Sequence, residues 1–167
     1  MKISPTYYLR KLVRTAGYFG AAFLLTTQCW AFPARCVGVI DGDTILIQHW
    51  NKAEIVRIYG IDAPESGQRY GHQATMALMR LVYLKPIEID PVSGKSYGRM
   101  VARVHCEGQD ISEVMIEQGA AWWYSHFAPY DKRLERAEFR AARDGRGLWQ
   151  EENPQAPWLW RLERRKR

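Results

Sequence analysis

The chain has 167 residues, 47% of them hydrophobic and 25% charged, with 24 Lys+Arg against 18 Asp+Glu and three cysteines. That balance excludes a disordered polar chain, a collagen-like repeat and a disulfide-dense miniprotein, and the length suits one domain. The formal charge of +6 overstates any general affinity for polyanions, because the positive excess sits at the two ends.

Residues 1–31 open with Lys2, Arg10, Lys11 and Arg14 and no acidic residue, pass through an apolar run at 16–25, and leave through Cys29-Trp30-Ala31. This is the layout of a secretory signal peptide, and the apolar run is shorter than the ~20 residues that cross a bilayer. The expectation is cleavage near Ala31 and export to the periplasm or the medium, with no stable membrane association afterwards. Thr26-Thr27-Gln28 before Cys29 is a poor lipid-attachment sequence. Without the leader, 20 basic residues face 18 acidic ones, and five of the 20 lie in the tail 161–167. Attraction to phosphate must then come from placed arginines and a cation rather than from an overall positive field. Cys36 and Cys106 remain after cleavage. In an exported chain two cysteines favour a disulfide, although their spacing leaves two buried thiols open.

Strand signals dominate the first half of the remaining chain. Residues 34–40 read as a strand, Asp41-Gly42 as a hairpin turn, and 44–48 as a second strand that begins just after Asp43. Residues 53–59 alternate as a third strand, and 62–70, broken by Pro64 and Gly67, read as loop. Ala74, Leu78, Leu81 and Val82 are spaced for a helix over 71–83. A short strand at 87–91, a turn beginning at Ser93-Gly94 and a fifth strand at 100–105 follow. A helix over 111–118 ends at Gly119, and a charged helix over 132–143 is closed by Gly145. Five strands with a helix between the third and fourth, then two C-terminal helices, make a β-rich α+β domain over 32–150 with the order of the OB-fold barrel. Residues 151–167 form an extension with a Trp158-Leu159-Trp160 stretch, expected to pack the chain's end onto the barrel, and the basic tail RLERRKR, which reads as a solvated end or an electrostatic tether.

The chemistry concentrates in VIDGDTI at 39–45, VRIYGIDAPE at 56–65 and YGR at 97–99. These supply Asp43, Asp62, Glu65, Arg57 and Arg99, the side chains that metal-assisted cleavage of a phosphodiester requires. Carboxylate oxygens suit a hard cation such as Ca²⁺, a further carboxylate can activate water, and two guanidinium forks can neutralise a phosphate under attack. Each has a plainer reading. Asp41 and Asp43 can be turn residues, Arg57 a surface partner of Glu54, and Tyr97-Gly98 a turn before the fifth strand. Trp122 and Trp123 read as packing residues. His49, His72, His105 and His126 have no zinc-ligand spacing. A non-catalytic OB-fold that holds nucleic acid on stacking aromatics is the rival from another class.

DGDT at 41–44, the Arg57-to-Glu65 pattern R-x-x-x-x-D-x-P-E and YGR at 97–99, supported by EQGAAWWY at 117–124 and GLW at 147–149, resemble the staphylococcal nuclease family. The resemblance implies an OB-fold monomer that hydrolyses DNA and RNA with Ca²⁺, through in-line attack of water that leaves 3′-phosphate ends. It implies that Asp43, Asp62 and the backbone carbonyl of Ala63 are metal ligands and that Glu65 handles the attacking water. It further implies Arg57 and Arg99 as phosphate clamps, Tyr97 as a nucleotide contact, and Asp41 as a residue touching a metal ligand. Ala63, a shorter loop at 66–69 and Lys95 depart from the family pattern, and so bear on substrate grip.

Overall fold

The protein is described by a computed structural model over residues 30–96 and 98–166, with side chains at all of these except 93–96. The expected signal peptide therefore lies almost wholly outside the described residues, and Tyr97 lies outside them too. Among the described residues no helix is long and apolar enough to cross a membrane.

Strands β1 (Phe32–Asp41), β2 (Thr44–His49), β3 (Lys52–Ile58), β5 (Pro86–Ser96) and β6 (Arg99–Cys106) form the barrel in the order β3-β2-β1-β5-β6. A parallel seam closes it, pairing Val56, Arg57 and Ile58 of β3 with Met100, Val101 and Ala102 of β6. Alternation along the strands sends Ile45 and Ile47, Val56 and Ile58, Ile87 and Ile89, and Ala102 and Val104 into one core. Helix α1 (Gly71–Val82) caps that core with Ala74, Leu78 and Val82, one residue per turn on one face. Helices α2 (Ile111–Glu117) and α3 (Lys132–Arg143) add Ile111, Met115, Ile116, Leu134 and Ala137.

Several expectations need correcting. The turn placed at Ser93-Gly94 lies further on: β5 continues through an irregular register between Pro91 and Lys95, and Ser96 pairs with Arg99. Gly98, at φ +80°, takes the left-handed position of that turn. Asp62, expected to open the loop, instead ends a two-residue strand, β4 (Ile61–Asp62), which pairs with β8 (Trp122–Trp123). Another short strand, β7 (Gln109–Asp110), leads into α2. The basic tail is solvated from Leu162 to Lys166 but is ordered as helix: Pro157–Arg165 is a further helix, α4, with Pro157 in its first turn. Proline there loses no helical hydrogen bond.

The expected disulfide is also corrected. Cys36 and Cys106 are free, buried thiols. They stand on β1 and β6, the two strands that flank β5. With neighbouring strands ~4.8 Å apart, the two backbones are roughly 10 Å apart, beyond the ~7 Å that a disulfide spans.

Candidate active site

The site grows from the β1–β2 turn. Asp41 pairs with Thr44, so Gly42 and Asp43 form the loop, and the Asp43 amide donates to Asp41 Oδ1 at 3.0 Å. Asp41 thus serves both as turn residue and as the support of Asp43. A Cβ on Gly42 would lie 2.6 Å from Ala63 Cβ and 2.9 Å from Ala74 Cβ. Only glycine lets the turn come this close to residue 63. The contact puts the Asp43 carboxylate in reach of the next segment, where Oδ2 accepts from the Ala63 amide at 2.8 Å. Oδ1 accepts from the Thr44 hydroxyl at 2.9 Å.

Arg57 lies on the closing seam, opposite Thr44 on one side and Val101 on the other. Because Val56 and Ile58 face the core, Arg57 faces out, and it pairs with Asp43 and Asp62 rather than with Glu54. Its Nη1 donates to Asp43, and its Nη2 donates to Asp62 Oδ1 at 2.8 Å. Two carboxylates, 2% and 0% exposed as residues, are thus brought within the width of one guanidinium. Burial pushes the Asp43 carboxyl up to about 8, against the opposing pull of Arg57, and the nearby Asp41 and Asp62 charges add to the rise. Burial works against the charge on Arg57 as well, and the Asp43 and Asp62 carboxylates more than restore it.

After Asp62, Pro64 holds Ala63 out of the helical region, and the chain turns through 65–71. Gln68 N donates to Glu65 O at 2.8 Å, and Gly71 N donates to Gln68 O at 3.0 Å. A Cβ on Gly71 would sit 1.9 Å from the Glu65 carbonyl oxygen, so the turn that presents Glu65 also depends on a glycine. Glu65 is partly exposed, and together with Arg57 and Arg99 it lines a cavity of about 680 Å³. Asp43, Arg57, Asp62, Glu65 and Arg99 thus converge at one mouth of the barrel.

Trp122 and Trp123 pack, as expected. Trp122 lies against Trp149, with ring centroids 4.4 Å apart, and Trp123 Nε1 donates to the Ala128 carbonyl at 3.1 Å.

One residue of the site was not anticipated. Arg161, on α4, donates to Asp62 Oδ2 at 2.7 Å and to Glu65 Oε1 at 2.7 Å. A helix could be anticipated in PWLWRLERR from Pro157 and its amphipathic pattern. Nothing local says where that helix docks.

The donor set fits a hard, oxygen-seeking cation. Asp43 and Asp62 offer carboxyl oxygens and no sulfur or imidazole, and two guanidinium groups already seek them. Among the described residues no three His, Cys, Asp or Glu side chains converge closely enough to hold an ion by themselves. Backbone oxygen, water or substrate would have to complete a shell.

An OB-type barrel with buried aspartates, a half-buried glutamate and arginines around one cavity is a barrel of the nuclease class. Residues 55–151 match the family model described as "Staphylococcal nuclease homologue". An uncharacterized endonuclease of Escherichia coli O157:H7 is 36% identical over 134 residues, covering 80% of this chain and 87% of that protein. A micrococcal nuclease of Shigella flexneri is 32% identical over 149 residues, 83% of this chain and 86% of that protein. The chain belongs to the staphylococcal nuclease family. A probable staphylococcal-like nuclease of Oryza sativa subsp. japonica is 34% identical over 159 residues, and the matched part is 41% of its length.

Proposed function

We propose that this family member is a Ca²⁺-dependent nuclease that cuts phosphodiester bonds within DNA, RNA or both. The observation that carries the reading is the single guanidinium of Arg57 bonded to both buried carboxylates, Asp43 and Asp62, beside the cavity that Glu65 and Arg99 line. Asp43 and Asp62 would hold the cation, with the Ala63 carbonyl as a further oxygen. Water and a phosphate oxygen would bring the shell to about six to eight. Bound there, Ca²⁺ supplies Lewis-acid polarisation of the phosphate.

Glu65 accepts the proton of the attacking water. Arg57 and Arg99 donate N–H bonds to the non-bridging oxygens as negative charge grows on them. Attack in line with the 5′ oxygen expels that oxygen and leaves a 3′-phosphate. Tyr97 contacts the nucleotide. The leader 1–31 is removed on export, and the enzyme works in the periplasm or the medium as a monomer without stable membrane association.

The test is a gel assay of the purified chain on single- and double-stranded DNA and RNA. Ca²⁺ should support cleavage, EDTA should abolish it, and Mg²⁺, which demands stricter octahedral geometry, should substitute poorly. Full activity in EDTA overturns the proposal.

A further inference from the structure

Helix α4 lies beyond the residues that match the family model, yet it builds one wall of the cavity. Trp158, Arg161 and Arg165 stand on that wall, facing Arg57, Glu65 and Arg99. The wall is lightly attached. Of α4's own residues only Pro157 is buried. Trp158 rests on Tyr124 at 5.5 Å and on Trp122 at 5.7 Å between ring centroids. Just before the helix, the Gln155 carbonyl accepts from Gln68 Nε2 at 2.5 Å, and Gln68 Oε1 in turn accepts from the Glu65 amide at 3.2 Å. The strongest polar attachment is the fork of Arg161, which joins Asp62 to Glu65.

That fork draws on the oxygens the proposed chemistry needs. Asp62 Oδ1 accepts from Arg57 at 2.8 Å and from Arg161 at 3.2 Å, and Oδ2 accepts from Arg161 at 2.7 Å. With three guanidinium N–H groups on a carboxylate that has no exposed surface, little of Asp62 remains to offer a cation. Glu65 Oε1 is also engaged by Arg161. A divalent cation and an arginine cannot both claim these lone pairs. The exchange is feasible because the Arg161 side chain is 34% exposed, so its charge has water to move into.

We propose that Arg161 is the resident cation of the site: it holds Asp62 and Glu65 until a divalent cation displaces it, and its release lets α4 swing away from the cavity. This inference rests on the metal reading of the site given above. Arg161 is a positioning residue, acting through Asp62 and Glu65. Loading of the site and opening of the groove to nucleic acid become one event. Coupling between two such equilibria commonly amounts to about 5–150-fold in affinity.

The test uses the full chain with Ca²⁺ alone as probe. By calorimetry, Arg161→Ala should bind Ca²⁺ at least about fivefold more tightly than the unmodified protein. Arg161→Lys keeps the charge but loses the planar fork, and should fall between the two. Independently of any variant, amide hydrogen exchange across 157–165 of the unmodified protein should speed up when Ca²⁺ is added. If Arg161→Ala fails to fold, that exchange measurement decides alone. Equal or weaker Ca²⁺ binding by a folded Arg161→Ala overturns the inference and leaves the metal reading standing, as does α4 exchange that Ca²⁺ leaves unchanged. If the unmodified protein and Arg161→Ala both ignore millimolar Ca²⁺, the metal reading falls and the inference with it.

Discussion

Arg57 holds two buried carboxylates together that would otherwise repel each other, and it faces the cavity in which a phosphate would lie. Asp43 and Glu65 differ in a way that makes their substitutions separable. Asp43 is buried and bonded to Ala63, Thr44 and Arg57, whereas Glu65 sits at the cavity edge with its carboxylate on Arg161. Glu65→Gln keeps an acceptor oxygen for Arg161 and removes the base. It should leave nucleic-acid binding nearly intact while cleavage slows about 10²–10⁴-fold. Asp43→Ala should weaken Ca²⁺ binding as well as rate, because it removes a ligand. Single-turnover cleavage and calorimetry on both variants check this pair, and an unaltered rate in Glu65→Gln would show that the proton goes elsewhere. The motif spacings placed Asp43, Arg57, Asp62 and Glu65 in one segment pair, which is why these residues were legible. The bonds that order them depend on Gly42 and Ala63 touching across the fold, and no local pattern announces such a contact.

Among the elements, α3 is held to the barrel through the residue just before it. Asp131 caps it, accepting from Arg133 N at 3.1 Å and Leu134 N at 3.4 Å, and it also pairs with Arg103 of β6. Burial pushes the Asp131 carboxyl up, but the Arg103 guanidinium and the helix amides outweigh it and hold the group below its ordinary value. A depressed folded value means that the ionised form favours the fold. Its contribution is complete above about pH 4, the unfolded value, and fades as pH falls further. Asp131→Ala should therefore cost about 1–2 kcal/mol at pH 7 and much less at pH 3. Urea unfolding at the two pH values checks it, and equal costs would refute it. The limits of α3 matched the expectation, since cap, amphipathic pattern and terminal glycine all agree there. Strand β5 overran its expected end because an irregular register absorbs Ser93 and Gly94. Strands β4 and β8, two residues each, are too short to show any period.

At the scale of the whole molecule, five strands around one core leave β1 and β6 separated by β5, and this keeps Cys36 and Cys106 apart. Burial also pushes both thiols up, so they should react slowly in the folded protein. Unfolded without reductant, the chain from residue 32 onward should show two titratable thiols, and finding none would restore the bridge. The expected bridge rested on cysteine number and expected compartment, but pairing is a matter of strand order, which cysteine spacing does not encode. The place of Arg161 was hidden for the same reason, since 99 residues separate it from Asp62. The seam between β3 and β6 has one more consequence, for the order in which a newly made chain acquires its powers. Residues 41 to 65 contain Asp43, Asp62, Arg57 and Glu65, yet the strand that carries Arg57 takes its place in the closed barrel by pairing 56–58 with 100–102. A chain that stops before residue 99 carries Asp43, Arg57, Asp62 and Glu65 but lacks Arg99 and the seam beside Arg57. The complete site is therefore a product of barrel closure and not of the motif segments alone.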